Sequence, residues 1–417
     1  MRILITGCTY YPSRNGQSIF TINLAEGLAA QGNHVLAVIP SLDGKETFFE
    51  RNGVLVQKIR SMDLSWIHPE TTMSFFPGPQ VRDILDEFHP DIIHIHDHYP
   101  ISNTFVQEAK KRDIRIVGTN HFVPDNLAPY VPGSTHFISL LSKIMWKWML
   151  FTFNQMDFAT APSRTAAEIL REQKIKLPVY PISCGVDTKR FKPKSDIDKA
   201  FWRKKYNLDP SKPIFLFVGR VDFEKKIDVL IRALKIRNKD DMQLAIAGGG
   251  SNKNHLEHLV KTLDLEKQVR FLGYVPNEDL PSLINAIDIF TMPSEAELLS
   301  IASLEAMACA KPLLLAKARA LPELVHDGEN GYLFKAGSAS DAAAKIDLLI
   351  QQSANWQTMG SKSLHLAQSH TLENTIEAYS MLYYALVAGR KLPNPQTEWP
   401  TMRPGATSLK KYPSVNL

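Results

Sequence analysis

The sequence has few cysteines. Cys8, Cys184 and Cys309 are odd in number and far apart. They form neither a disulfide framework nor a zinc-ligand spacing, which points to a reducing, cytoplasmic setting. There is no uninterrupted apolar run of the length a membrane-spanning helix needs. No secretory leader pattern is visible either, because Met1-Arg2 runs straight into a short apolar strand, Ile3-Leu4-Ile5. Nor does charge of one sign dominate. A net charge of +5 permits phosphate ligands or an anionic membrane surface and does not call for nucleic acid. What remains is ordinary for a globular protein, with 44% hydrophobic and 22% charged residues. A chain of 417 residues exceeds one compact core and implies two domains and a tail.

The first half alternates strands and helices. Residues 2–6 read as a buried parallel strand, 17–31 as a helix stopped by Gly32, and 34–39 as a second strand. This pattern predicts a doubly wound α/β domain. Asn15-Gly16 stands where the helix begins, so a phosphate could approach its backbone; a plain turn is the other reading. Residues 91–98 read DIIHIHDH. On a strand, His94, His96 and His98 would share one face, as a metal site requires. Against this, parallel strands are covered on both faces, and Tyr99-Pro100 places His98 in a loop. Residues 114–119 read as another strand, followed by Asn120 and His121. A strand-end histidine can donate to a phosphate or sugar hydroxyl and ordinarily titrates near physiological pH. The apolar stretch 137–153 carries Lys143 and Lys147 on one face with Trp146 and Trp148 beside them. It reads either as a membrane-interface element or as a helix buried between domains with its lysines reaching water.

The polar, lysine-rich stretch 191–209 reads as the domain boundary. A second α/β alternation follows, with strands at 214–218, 243–247, 269–272 and 287–292. Gly219, Arg220 and Lys225 stand between a strand end and a helix start, where two cations suit a diphosphate. In residues 293–334, Glu297 and Glu305 are eight positions apart. The helical pattern starts near Ser300, with Ile301, Leu304 and Ala308 on one face, so Glu297 precedes the helix and Glu305 lies in its second turn. A helix start offers free N–H groups to an anion, and carboxylates accept from hydroxyls. Together these fit a nucleotide-sugar; two solvated glutamates are the plainer reading.

Several of these motifs resemble glycosyltransferase family 4, retaining enzymes of the GT-B fold. The matches are Pro293, Ser294, Glu297, Leu304, Glu305, Ala306, Met307, Ala308, Pro312, Glu323, Leu324, Asp327, Gly328 and Gly331. Gly16, His94, His96, His121, Gly185, Val186, Asp187, Arg220 and Lys225 match further motifs in the same order. Leu298-Leu299-Ser300 replaces the family's Gly-Phe-Gly, and Lys226 replaces the glycine after its lysine. Leucine at a position needing positive φ would be strained.

The resemblance implies two Rossmann-like domains facing across a cleft. The first, 1–190, is the acceptor side; the second, 206–370, binds the nucleotide-sugar. A crossover helix at 371–388 packs back on the first, and 391–417 is a disordered tail. The implied activity is retaining hexosyl transfer from a UDP- or GDP-sugar, without metal or cofactor. Arg220 and Lys225 would bind the diphosphate, Glu305 the ribose, Glu297 the sugar, and Val275 would line the base site. Gly219 and the backbone at Leu299, Ser300 and Ile301 would complete the donor site; His121 and Gly16 would close the cleft. The expected acceptor is a membrane lipid such as diacylglycerol or a phosphoinositide, reached by peripheral contact with an anionic membrane. A soluble or polysaccharide acceptor, an inactive binding protein and a zinc hydrolase built on His94, His96 and His98 are the alternatives.

Overall fold

The computed structural model describes residues 1–11, 15–41, 43–64, 72–124, 135–397 and 399. The chain divides into two compact units. One is Met1–Cys184 with the described residues from Leu372 on; the other is Gly185–Thr371.

The first unit contains β1 (Arg2–Thr6), β2 (His34–Pro40), β3 (Thr47–Arg51), β4 (Val54–Ile59), β5 (Met62–Asp63), β6 (Thr72–Met73), β7 (Ile92–Ile95), β8 (Arg115–Thr119), β9 (Phe158–Ala161) and β10 (Val179–Pro181). Its main sheet runs β10-β9-β8-β7-β1-β2-β4-β3, parallel throughout except for the antiparallel edge pair β3–β4. β5 and β6 form a separate pair. The central strands are apolar and buried at almost every position, as helices on both faces require. Helix Gly16–Ala30 is capped by Asn15, whose side chain accepts from the Ser18 amide at 2.9 Å. It packs against helix Leu372–Val387 so closely that a Cβ on Gly27 would lie 2.0 Å from Ile376. A larger residue there would force the Ile376 side chain to move.

Two sequence expectations change. Residues 137–153, apolar on every helical face, form helix Thr135–Phe153, but only one side is covered. Trp146, Met149 and Phe153 are buried, while Leu140, Ile144 and Phe151 are exposed. A helix lying on one layer buries only the stripe facing it, whatever the other faces carry. The expected disordered tail is also ordered at its start. Tyr180 donates to the Pro393 carbonyl at 2.6 Å, and the buried Trp399 packs its ring on Tyr180. The rest of that stretch, 398 and 400–417, lies outside the described residues, as do residues 125–134.

The second unit contains β11 (Ile214–Val218), β12 (Gln243–Ala247), β13 (Val269–Gly273), β14 (Ile289–Met292), β15 (Leu313–Lys317) and β16 (Gly331–Lys335). They form one parallel sheet in the order β13-β12-β11-β14-β15-β16. The lysine-rich stretch after Gly185 is anchored on this unit. Its helix Lys199–Lys205 buries Arg203, one of whose guanidinium nitrogens donates to both carboxylate oxygens of Asp288, at 2.9 and 2.8 Å. Among the described residues, no helix is long and apolar enough to cross a membrane.

Candidate active site

In each sheet the chain winds one way from one central strand and the other way from its neighbour. That reversal opens a crevice at the strands' carboxyl ends, where ligands of open α/β sheets collect. It falls between β11 and β14 in the second unit and between β1 and β7 in the first.

In the second unit the loop after β11 carries Gly219, Arg220 and, in a short 3-10 turn, Lys225. The loop after β14 carries Glu297 and leads into helix Ile301–Ala308. Lys225 Nζ lies 2.6 Å from Glu297 Oε1, with side chains only 16% and 12% exposed. The two charges thus fix each other at the mouth of the crevice. The Arg220 guanidinium is held by Asp222 at 2.8 Å and Glu224 at 2.9 Å. Asp222 in turn accepts from the Ser251 amide and hydroxyl, and the Glu224 carbonyl accepts from the Glu295 amide at 3.3 Å. Three strand ends are therefore stitched around the two cations. Gly248 is part of that closeness: at φ +138, its Cβ would stand 1.9 Å from the Gly219 carbonyl oxygen.

Helix Ile301–Ala308 begins as its sequence predicts. Ser300 is the N-cap, accepting from the Ser303 amide at 3.2 Å, and the first helical amides have no intrahelical partner. None of Leu298, Leu299 or Ser300 has positive φ, so the loop tolerates their side chains without backbone strain. The strained position is Lys226, left-handed at φ 52 where the family carries glycine. Glu305 lies in the second turn, half-buried. Loss of hydration pushes its carboxyl up to about 7, against the pull of Arg190. Arg190 itself donates to the Asn277 carbonyl. It escaped the sequence reading because nothing in its neighbourhood signals a contact so far along the chain. Val275 is buried just beyond β13.

The first unit's crevice is different. Past β7, buried Asp97 accepts from the Cys8 amide, from the Tyr99 amide at 3.0 Å and from the Ser102 hydroxyl at 2.6 Å, joining the two loops. Gly16 is the first helical residue, with open space where a Cβ would stand. The strand ends at Ile95, so His96 as well as His98 lies beyond it. His96 Nδ1 is 3.3 Å from His121 Nε2 and 3.2 Å from the Thr21 hydroxyl, with the two imidazoles stacked at 5.4 Å. Burial holds His94, His96 and His98 below the usual histidine range and His121 at about 3. His121 is therefore a neutral hydrogen-bonding group at physiological pH, which corrects the expectation of a titrating one. His94 has both ring nitrogens engaged, at 2.6 Å from Thr119 and 2.6 Å from Tyr383 hydroxyls. A metal shared by His94, His96 and His98 would have to displace one of these contacts. Among the described residues, no group of three His, Cys, Asp or Glu could hold a metal ion. The structure thus brings Lys225 to Glu297 beside Arg220 in one unit, and His121 to His96 near Gly16 in the other.

Residues 14–190 match the family model described as Glycosyltransferase Family 4, and residues 198–363 that of glycosyl transferases group 1. The chain is 26% identical to a GDP-mannose-dependent alpha-mannosyltransferase of Corynebacterium glutamicum, over 80% of this chain and 76% of that one. It is 26% identical to a sulfoquinovosyl transferase of Arabidopsis thaliana, over 81% of this chain and 64% of that one. Among solved structures, sucrose-phosphate synthase from Thermosynechococcus elongatus superposes with a TM-score of 0.78 at 23% identity, covering 93% of this chain and 99% of that one. HepE of Anabaena in complex with UDP-glucose gives 0.73 at 19% identity, covering 92% and 99%. These structural likenesses give the fold, GT-B.

Proposed function

The chain belongs to the glycosyltransferases of family 4 and group 1, and on that premise we propose that it transfers a hexose from a UDP- or GDP-sugar with retention of configuration. The observation that carries this reading is the Lys225–Glu297 pair beside Arg220 at the second unit's crevice. An ammonium has three donors, so Lys225 can keep Glu297 oriented while binding a phosphate oxygen. Arg220 presents a planar fork to the same diphosphate. Both cations stabilise charge as the nucleotide leaves, so no metal is assigned a role. Glu297 accepts from the sugar's hydroxyls, backed by the amides at Leu299, Ser300 and Ile301. Glu305, desolvated and with no protein hydrogen-bond donor among the described residues, accepts from the ribose hydroxyls. Gly219 and Val275 line the rest of the donor site. In the first unit, His121 gives a neutral hydrogen bond to the sugar or acceptor and Gly16 a backbone amide. No covalent nucleophile is assigned; the acceptor attacks on the face the nucleotide leaves.

The acceptor we propose is a membrane lipid, reached from the cytoplasmic side of the plasma membrane. The chain's basic charge and the apolar helix after His121 support it. The reading of an inactive binding protein loses its main motive, since Leu298-Leu299-Ser300 adopts its loop without strain. The test is nucleotide release from UDP-, GDP- and ADP-sugars, with and without anionic liposomes containing diacylglycerol. Release from one donor only with lipid is the expected result. Equal release without lipid replaces the lipid by a soluble acceptor, and no release or binding of any donor refutes the enzyme.

A further inference from the structure

We propose that the exposed side of helix Thr135–Phe153 is the surface by which the protein lies on an anionic bilayer. This rests on the lipid-acceptor reading for its purpose and on geometry for its place. Leu140, Ile144, Trp148 and Phe151 are 57%, 54%, 38% and 61% exposed. Their spacing of four, four and three positions puts them within an arc of about 80° on one side of the helix. The ridge is roughly 17 Å long at the helical rise per residue. Large apolar side chains are scattered singly over most surfaces, so a continuous ridge signals a contact.

The flanks choose the occupant. Lys143 and Lys147 are exposed along one edge of the ridge, and the helix contains no Asp or Glu. At the opposite edge Trp148 leans on His98 and Tyr99, with ring centroids 4.9 and 6.1 Å away, and keeps its outer part exposed. Apolar centre, lysines at one edge and tryptophan at the other describe a helix lying in the plane of an interface. Anionic headgroups neutralise the two lysines. A second copy of the chain would bring the same lysines and no acid of this helix to meet them. Trp148 also touches the loop that follows β7, so the bound helix would set the first unit's crevice at the membrane surface.

Flotation of the full-length protein with vesicles of phosphatidylcholine alone, or mixed with phosphatidylglycerol, tests this without any donor present. The expected result is binding to the mixed vesicles only, weakened by salt. Each lysine near an anionic surface is worth about five-fold in binding. Lys143→Glu with Lys147→Glu should therefore weaken binding by at least about 25-fold, and Ile144→Glu with Phe151→Glu should abolish it. Surface lysine reversal keeps the test valid if the apolar pair misfolds. Equal binding to both vesicle types, no binding to either, or no loss in the lysine variant overturns the proposal. So does concentration-dependent self-association that the apolar pair abolishes. Vesicle binding without lipid-dependent nucleotide release leaves the docking surface standing and removes the lipid acceptor.

Discussion

The two crevices share a topology and differ in chemistry. Each lies where a parallel sheet reverses its winding, and each joins two loops with a buried carboxylate: Asp97 in the first unit, Asp222 in the second. In the first, the groups gathered past the strand ends are neutral imidazoles and a hydroxyl. In the second, Arg220, Lys225 and Glu297 are charged, and the desolvated Glu305 carboxyl is pushed up to about 7. The fold dictates where a ligand sits and leaves its charge to a handful of loop residues. A neutral crevice suits hydroxyl groups; a charged one suits phosphates and the hydroxyls that carboxylates hold.

The comparison is broken most severely at Lys225. Lys225→Ala leaves Glu297 unpaired and, on the proposed reading, removes a cation from the leaving diphosphate. We expect kcat/KM to fall by about 100- to 1,000-fold with the fold retained, measured by nucleotide release and by thermal melting. An unchanged rate would take the pair out of the site.

Acid and base should act on His121 and Glu305 in opposite directions. The folded His121 titrates at about 3 and an ordinary histidine at 6.5, so between those values the unfolded chain binds more protons. Stability from the buried imidazoles is therefore complete above about pH 6.5 and is lost as pH falls, by up to about 2 kcal/mol at pH 5 for His121 alone. His121→Phe should lower the midpoint of acid unfolding. Glu305 has the reverse sign. Its carboxyl titrates at about 7 when folded against an ordinary 4.5, so stability is complete below the lower value and is lost as pH rises to 7. Glu305→Gln should therefore raise Tm at pH 8 and change it little at pH 4.5. Equal Tm shifts at both pH values would contradict a desolvated carboxylate.

Two smaller effects sharpen the contrast between hydrogen-bonded and strained positions. Tyr383→Phe leaves a buried His94 nitrogen without its partner at 2.6 Å and should cost about 1–2 kcal/mol in denaturant unfolding. Lys226→Gly relieves a left-handed residue and should stabilise by up to about 1 kcal/mol. A loss of stability on Lys226→Gly would mean that the lysine side chain contributes more than its backbone costs.

Local signals were the readable ones. The helix starting near Ser300 showed itself by apolar spacing, and Glu297 and Glu305 followed from that register. The central strands of both sheets showed as short apolar runs. Edge elements did not show. β3 is exposed or half-exposed at every position, so it carries no alternation to read. Helix Gly78–Phe88 lacks a side-chain cap and also went unread. Long-range contacts were invisible for another reason. Tyr383 reaches His94 across 289 positions, and Arg190 reaches Asn277 across 87; no local pattern encodes such a meeting. Helix Thr135–Phe153 left two readings open because a largely apolar stretch does not say which side is covered.

The most direct measurement is calorimetric titration of UDP and GDP into the intact protein in the presence of a chelator, alongside the double variant Arg220→Ala with Lys225→Ala. If the second unit's charged crevice is the nucleotide-sugar site, one of the two nucleotides binds at one site per chain and the double variant loses that binding. Binding that survives the loss of both cations, or no binding of either nucleotide, would contradict the account.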